Sequence, residues 1–151
     1  MNDKTHPHSD GSIKAIYSIN KDKVMARPLM AAKIPAGFPS PAQDYVEGRL
    51  DLNEHLIQHE ASTFYVRADG YSMIGAGIHP DDILIVDRAL EATHNRIIIA
   101  IVDGELTVKR LVIKDDECWL VPENKDYPPL KIHEGLDFIV WGVVTYVIHK
   151  V

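Results

Sequence analysis

The stretch RADGYSMIGAGIHPDDILIVD, Arg67 to Asp87, holds a serine whose setting invites chemistry. Ser72 follows Gly70 and Tyr71 and leads into a Gly-rich turn, and no histidine lies near enough in sequence to be its obvious base. A base of another kind stands in ELTVKRLVI, 37 positions further on. A strand alternates faces with a period of two, so Lys109 shares one face with Thr107, Leu111 and Ile113, while Leu106, Val108, Arg110 and Val112 share the other. A lysine among apolar neighbours either snorkels to water or is buried. Keeping an ordinary lysine (pKa about 10.4) neutral at pH 7 costs roughly 4.6 kcal/mol. Complete desolvation depresses a lysine by about 3–5 units, enough to close that gap. A neutral amine within reach would accept the Ser72 proton, giving the Ser-Lys variant of the nucleophile–base pair. Spacing alone does not tie the two together. Taken separately, Ser72 also reads as a turn serine and Lys109 as a surface strand lysine.

Other reactive residue types give less. His55 and His59 are spaced i, i+4 as metal ligands can be, but Leu56 stands where a zinc protease has Glu and no third ligand follows. They read as a solvated helix face. Histidines 6, 8, 79, 94, 133 and 149 form no recognisable cluster. Cys118 is the sole cysteine, which excludes a disulfide within the chain and fits a reducing cytoplasm. The acids flanking it in DECWLV favour a raised thiol pKa and a structural role.

The elements that must position Ser72 and Lys109 are mostly strands. STFYVRA, DILIVD, RIIIAIVD, ELTVKRLVI, CWLV and DFIVWGVVTYVIHK are rich in β-branched and aromatic residues and are separated by turn signals. Asp103-Gly104 between two such runs is a two-residue hairpin signal. The expected fold is mainly β, an antiparallel sheet curled toward a barrel or sandwich. DYVEGRLDLNEHLIQHEAS reads as one short helix with Asp51 or Asn53 as its cap. Residues 1–36 show no sustained period and read as an arm, in which AIYSI and VMARPLMA suit short extended pieces that dock. KIPAGFPSPAQD carries prolines at 35, 39 and 41, which exclude helix and mark a linker.

A chain of 151 residues suggests one domain plus an arm. The net charge of −6 lacks the basic footprint of a non-specific nucleic-acid binder. It is uneven: six Lys/Arg and three Asp give residues 1–36 a charge of +3, leaving −9 on the other 115. A weakly basic arm on an acidic body is drawn to it by a field that salt weakens, or is simply a solvated tail. No apolar run reaches the ~20 residues needed to span a bilayer, and the polar N-terminus lacks the apolar segment of a secretory signal. The expected location is cytoplasmic, with no membrane partner.

Four segments in series, GYSMIGAGIHPDDILIVD, IIIAIVDGELTVKRL, LVPENKDYPPL and WGVVTYVI, resemble the LexA/UmuD family of self-cleaving SOS proteins. The likeness runs over residues 37–151. It implies the strongly curved antiparallel sheet of that family's C-terminal domain, with a short helix and an extended N-terminal arm. It also implies Ser72 as the nucleophile of the Ser-Met motif and Lys109 as the general base. IPAGFPSPAQDYVEGRLDLNEHLIQH matches the family's cleavage region, so the implied bond is Ala36–Gly37. On this reading residues 1–36 are the removed arm and residues 37–151 the peptidase and dimerisation domain.

Pro35 and Pro39 favour the extended path a protease reads, and Gly37 lets backbone approach without a Cβ clash. Nucleophile and substrate on one chain gain effective molarity. The backbone N–H groups of Ser72 and Met73 are the natural oxyanion donors.

Nothing in residues 1–36 reads as two packed helices with a recognition face, so the UmuD type is expected rather than a repressor. The resemblance then implies a homodimer, stimulation by a RecA–single-stranded-DNA filament, and a UmuC-like Y-family polymerase subunit as partner of the trimmed form. It implies no cofactor, no metal and no sequence-specific DNA binding. Three rivals remain. A catalytically silent dimeric docking module for a polymerase or RecA sits poorly with an intact serine, lysine and Ala-Gly bond. A truncated LexA-like repressor fragment lacks the DNA-binding domain and has an acidic body. A signal-peptidase-like enzyme shares the Ser-Lys chemistry but would need a membrane anchor.

Overall fold

The computed structural model describes residues 4–5, 9–19, 24–30, 36–37 and 46–151; side chains at 4, 5, 30, 46 and 47 are outside the description. The prolines at 35, 39 and 41, the surrounding linker and the histidines at 6 and 8 lie outside the described residues. The chain divides into two compact units, one of residues 1–19 and 59–151 and one of residues 20–58.

In the first unit, β-branched runs separated by turn residues form nine strands. They are β1 (Lys4–Thr5), β2 (Ile13–Ser18), β5 (Thr63–Ala68), β6 (Ile83–Asp87), β7 (Ile97–Val102), β8 (Glu105–Lys114), β9 (Glu117–Val121), β10 (Leu130–Ile132) and β11 (Phe138–Ile148). Labels β3 and β4 belong to the second unit, as Arg27–Met30 and Val46–Leu50. The nine strands make one sheet in the order β1-β2-β5-β6-β11-β7-β8-β9-β10, with every strand pair antiparallel. The hairpin at Asp103-Gly104 is as expected. Both residues have positive φ, +48° and +83°, the primed-turn geometry that matches strand twist, and Val102 pairs with Glu105 across it.

The sheet curls hard, as the family resemblance implied. In a flat sheet β2 and β8 would be five strand spacings apart, roughly 24 Å. Instead the residues just before β2 touch β8: Asp10 N–H donates to Leu106 C=O at 3.0 Å, and Ser9 bridges Leu106. Register shifts in β11 at Val140/Gly142 and Val144/Tyr146 supply local bends. Alternation divides the core between the faces. Val66, Leu84, Val86, Ile99 and Val108 pack together on one side, while Ile98, Ala100, Leu111, Leu120 and Val143 form the other cluster.

In the second unit β3 pairs antiparallel with β4, from Arg27↔Leu50 to Met30↔Val46. The one short helix expected within DYVEGRLDLNEHLIQHEAS is present, and the residues before its cap form a strand. Val46–Leu50 is a strand, and the helix α1 is only Leu52–Leu56. Asp51 is its cap, its carboxylate accepting the N–H of Asn53. Glu60–Ser62, which belongs to the first unit, is a separate 3-10 turn. Among the described residues no helix is long and apolar enough to cross a membrane.

Candidate active site

Ser72 is placed by a turn that β5 feeds and a neighbouring loop pins. After Ala68 the chain reverses through Asp69 and Gly70, the latter at φ +69°. Ser72 C=O then accepts the N–H of Glu123 at 2.8 Å, and Glu123 C=O accepts the N–H of Gly75 at 2.8 Å. A Cβ on Gly75 would stand 2.7 Å from that Glu123 oxygen, so only glycine permits the approach. The pinned serine is 6% exposed. Among the described residues no acceptor takes the amide hydrogens of Ser72 or Met73.

Lys109 reaches the same place from β8, where it pairs with Ile98 of β7. Its side chain is 12% exposed, so it neither extends fully into water nor is wholly buried. Leu111 on its face is buried, and Ile113, nearer the strand end, is exposed. Lys109 Nζ lies 3.4 Å from Ser72 Oγ, 2.6 Å from Thr107 Oγ1, 3.0 Å from Val108 C=O and 3.2 Å from Asp10 Oδ2. A cavity of about 560 Å³ opens over this cluster, with Tyr71, Leu120, Tyr127 and Leu130 among its walls.

Those four distances can be counted against the chemistry of the amine. An ammonium has three N–H donors and no acceptor, and Thr107, Val108 and Asp10 are its three nearest partners. Ser72, the fourth and farthest, receives the weakest bond. A neutral amine has two N–H groups and one lone pair. The two suit Thr107 and Val108, and the lone pair suits the Ser72 hydroxyl. Asp10 has no place in that second arrangement.

Asp10 was not foreseen from the sequence. It precedes β2 and is held by Ser12, whose N–H and Oγ donate to Oδ1 at 3.0 and 2.5 Å, and by Thr107 Oγ1, which donates to Oδ2 at 2.6 Å. Ser12 Oγ in turn accepts the N–H of Val108 at 2.9 Å. Burial pushes the Asp10 carboxyl up, but the bonds from Ser12 and Thr107 and the charge of Lys109 outweigh it, and the carboxyl ends below its ordinary value. No local pattern in the sequence announces a contact between residues 99 positions apart.

The remaining predicted residues fall elsewhere. Ala36 and Gly37 belong to the second unit and form an exposed bend. His55 is exposed on α1, but His59 is not on a helix face. Its Nδ1 lies 2.6 Å from Asp87 Oδ2. The histidines at 79 and 149, read as unclustered, stand with their ring centroids 4.6 Å apart and share Asp82. Cys118 is a half-buried free thiol whose pKa is raised, with burial rather than the neighbouring acids as the cause.

Fold and site together point to a serine peptidase, and comparison with known proteins agrees. Residues 28–145 match the Peptidase S24-like family, and the chain belongs to that family of self-cleaving serine peptidases. Protein MucA of Salmonella typhimurium is 41% identical, the match covering 85% of this chain and 88% of that protein. Protein ImpA of Salmonella typhimurium is 46% identical over the same shares, and Protein SamA of strain LT2 is 48% identical over 82% and 85%. With these relatives the chain is a UmuD-type SOS mutagenesis protein of the LexA/UmuD kind. Asp10, Ser12 and β2 all precede the residues that the family match covers.

Proposed function

We propose that this protein cuts its own Ala36–Gly37 bond, with Ser72 as nucleophile and Lys109 as general base. The observation that carries the reading is the 3.4 Å approach of Lys109 Nζ to Ser72 Oγ in a site nearly withdrawn from water. Lys109, once neutral, takes the hydroxyl proton as Oγ attacks the Ala36 carbonyl carbon. The amide hydrogens of Ser72 and Met73, which no acceptor occupies among the described residues, suit the oxyanion that forms. Collapse breaks the C–N bond, and the Lys109 ammonium returns its proton to the Gly37 amine as it leaves. Water, deprotonated by the same amine, then hydrolyses the Ser72 ester and frees the Ala36 carboxylate.

Asp10 sets the resting condition of this cycle. While its carboxylate holds the amine, the proton stays on nitrogen and the lone pair that Ser72 needs is not available. Release of Asp10 is part of activation. The scissile bond comes from the same chain or from a second copy in a homodimer.

The wider role rests on the family resemblance. A RecA–single-stranded-DNA filament stimulates the cut, and the trimmed form, residues 37–151, serves as accessory subunit of a UmuC-like Y-family translesion polymerase.

The test is to hold the purified protein at mildly alkaline pH and follow its intact mass. Slow loss of residues 1–36 is expected, and Ser72→Ala and Lys109→Ala should each abolish it. Cleavage that persists in both variants would remove the dyad. RecA, single-stranded DNA and a nucleotide should accelerate the same cut at neutral pH, and no acceleration would detach the protein from filament control. A protein that never cuts itself under either condition would favour the silent docking module.

A further inference from the structure

The second cluster of reactive side chains in the first unit is built by strand register. The last residue of β11, Ile148, pairs with Ile83, the first of β6, so His149 emerges beside Asp82. Asp82 in turn ends a tight turn with His79. Its N–H donates to His79 C=O at 3.2 Å, Pro80 follows His79, and Asp81 has φ +70°. Proline at the second position and positive φ at the third is the type II pattern, which fixes His79 and Asp82 relative to one another.

The Asp82 side chain is 3% exposed. Its Oδ2 accepts the backbone N–H of His79 at 2.8 Å, which orients the carboxylate. Its Oδ1 lies 2.6 Å from His149 Nδ1. His79 Nδ1 also faces this carboxylate, at 3.7 Å from Oδ2, too long for a hydrogen bond. Among the described residues it is the buried side-chain polar atom left without a hydrogen-bond partner. A buried ring nitrogen with no partner asks for a ligand.

We infer that His79, Asp82 and His149 form a site for a divalent transition-metal cation of the Zn²⁺ class. Two imidazoles and one carboxylate are a donor set that suits Zn²⁺, whose bonds to nitrogen and oxygen are about 2.0–2.2 Å long. Donors at tetrahedral angles around such an ion stand about 3.3 Å apart, by geometry from those bond lengths. The observed separations of 2.6 and 3.7 Å to Asp82 straddle that value, and all three donors lie within 4.8 Å of one another. Small side-chain adjustments therefore complete the site. The ion satisfies His79 Nδ1, and the His79 N–H on Oδ2 is the outer bond that holds a metal-bound carboxylate in place. Water or another donor takes the fourth position. The site ties the end of β11 to the turn before β6.

The test uses the full chain carrying Ser72→Ala, so that self-cleavage does not alter the sample. His6 and His8, which offer imidazoles of their own, are changed to Ala in the same background. Titration with Zn²⁺ by calorimetry, checked by native mass, should show one ion per chain, with a melting temperature that rises with free metal. His79→Ala and His149→Ala should each weaken binding by about 100-fold or more, since each removes a ligand outright rather than an outer-shell bond. Circular dichroism without metal verifies that the variants are folded; His149 lies beyond the last strand, so its variant keeps the test valid if His79→Ala misfolds. No saturable binding, or less than a tenfold loss in His149→Ala, overturns the site. Because Ser72 is absent throughout, the result is independent of whether the protein cuts itself.

Discussion

Two aspartates in this molecule each gather a basic side chain and several hydrogen-bond donors, and they differ in what surrounds them. Asp87, at the end of β6, is 3% exposed and accepts from Ser62 Oγ at 3.1 Å and from the N–H of Ala89 at 2.8 Å, with His59 Nδ1 at 2.6 Å. Asp10 keeps 34% of its side chain in solvent, and its donors are Ser12, Thr107 and Lys109. In both, burial raises the carboxyl and the donors more than reverse it, so both end below the ordinary value. Asp87 gathers a loop onto its own strand end, and its loss damages the fold. Asp10 comes from a segment ahead of the family match and holds the Lys109 amine that stands 3.4 Å from Ser72, so on the proposed mechanism its loss should change reactivity. On the proposed mechanism the same device is structural in one place and regulatory in the other.

The largest effect separates the two sites outright. Lys109→Ala removes the base, and self-cleavage should fall by about 10²–10⁴-fold, the usual worth of general acid–base catalysis. Intact mass over time checks this, and a Lys109→Ala rate near that of the parent protein would end the comparison. Asp87→Asn should instead leave the pH midpoint of cleavage in place and lower stability by about 1.5–3 kcal/mol, the worth of hydrogen bonds to a charged group. Thermal unfolding of the Ser72→Ala background reads it directly. Gly75→Ala falls in the same range, about 1–3 kcal/mol from forced overpacking against Glu123, and also slows cleavage because the strained turn carries Ser72.

Acid should expose both carboxylates. Each has a folded pKa below its unfolded one, so its contribution is complete above about pH 4, the ordinary aspartate range. That contribution is lost as pH falls through the lower folded value. Urea unfolding between pH 7 and pH 2 should show stability declining in that window, less steeply in Asp87→Asn. An equal slope in parent and variant would mean that Asp87 carries no such linkage.

What could be read in advance follows how local each cause is. Asp103-Gly104 announces its hairpin because glycine readily takes positive φ; Asp115-Asp116 makes a similar turn, at +51° and +62°, with a far weaker signal. Strand alternation gave the face of Lys109, but its depth depends on how the sheet curls. The short helix and its Asp51 cap were legible because the cap is local. The strand at Val46–Leu50 was not, because its conformation is set by pairing with Arg27–Met30 rather than by its own residues. The basic charge of the arm suggested that it lies on the acidic body. Lys14 does meet Asp81 at 2.9 Å, yet the contact that reaches the candidate site is made by an acid of that segment, Asp10, with Lys109. His79 and His149 stand 70 positions apart in sequence, and only the Ile83–Ile148 register reveals their meeting.

The smallest effect is the most diagnostic. Asp10→Asn keeps the shape of the side chain and much of its bonding to Ser12 and Thr107, but removes the charge facing Lys109. Because a third of the carboxylate is in solvent, screening limits the pair to the upper end of exposed ion pairs, about 1 kcal/mol, or roughly fivefold in rate. The sign is what matters. If Asp10 merely orients the amine for catalysis, the variant should cut more slowly at every pH. If it holds the proton on nitrogen, the variant should cut about fivefold faster at neutral pH and meet the parent rate at alkaline pH. The pH–rate profile therefore moves to lower pH without a higher plateau. Added salt should reproduce part of this shift in the parent and none in the variant, since only the parent has a charge pair to screen. A profile that stays in place would return Asp10 to the structural role that Asp87 fills.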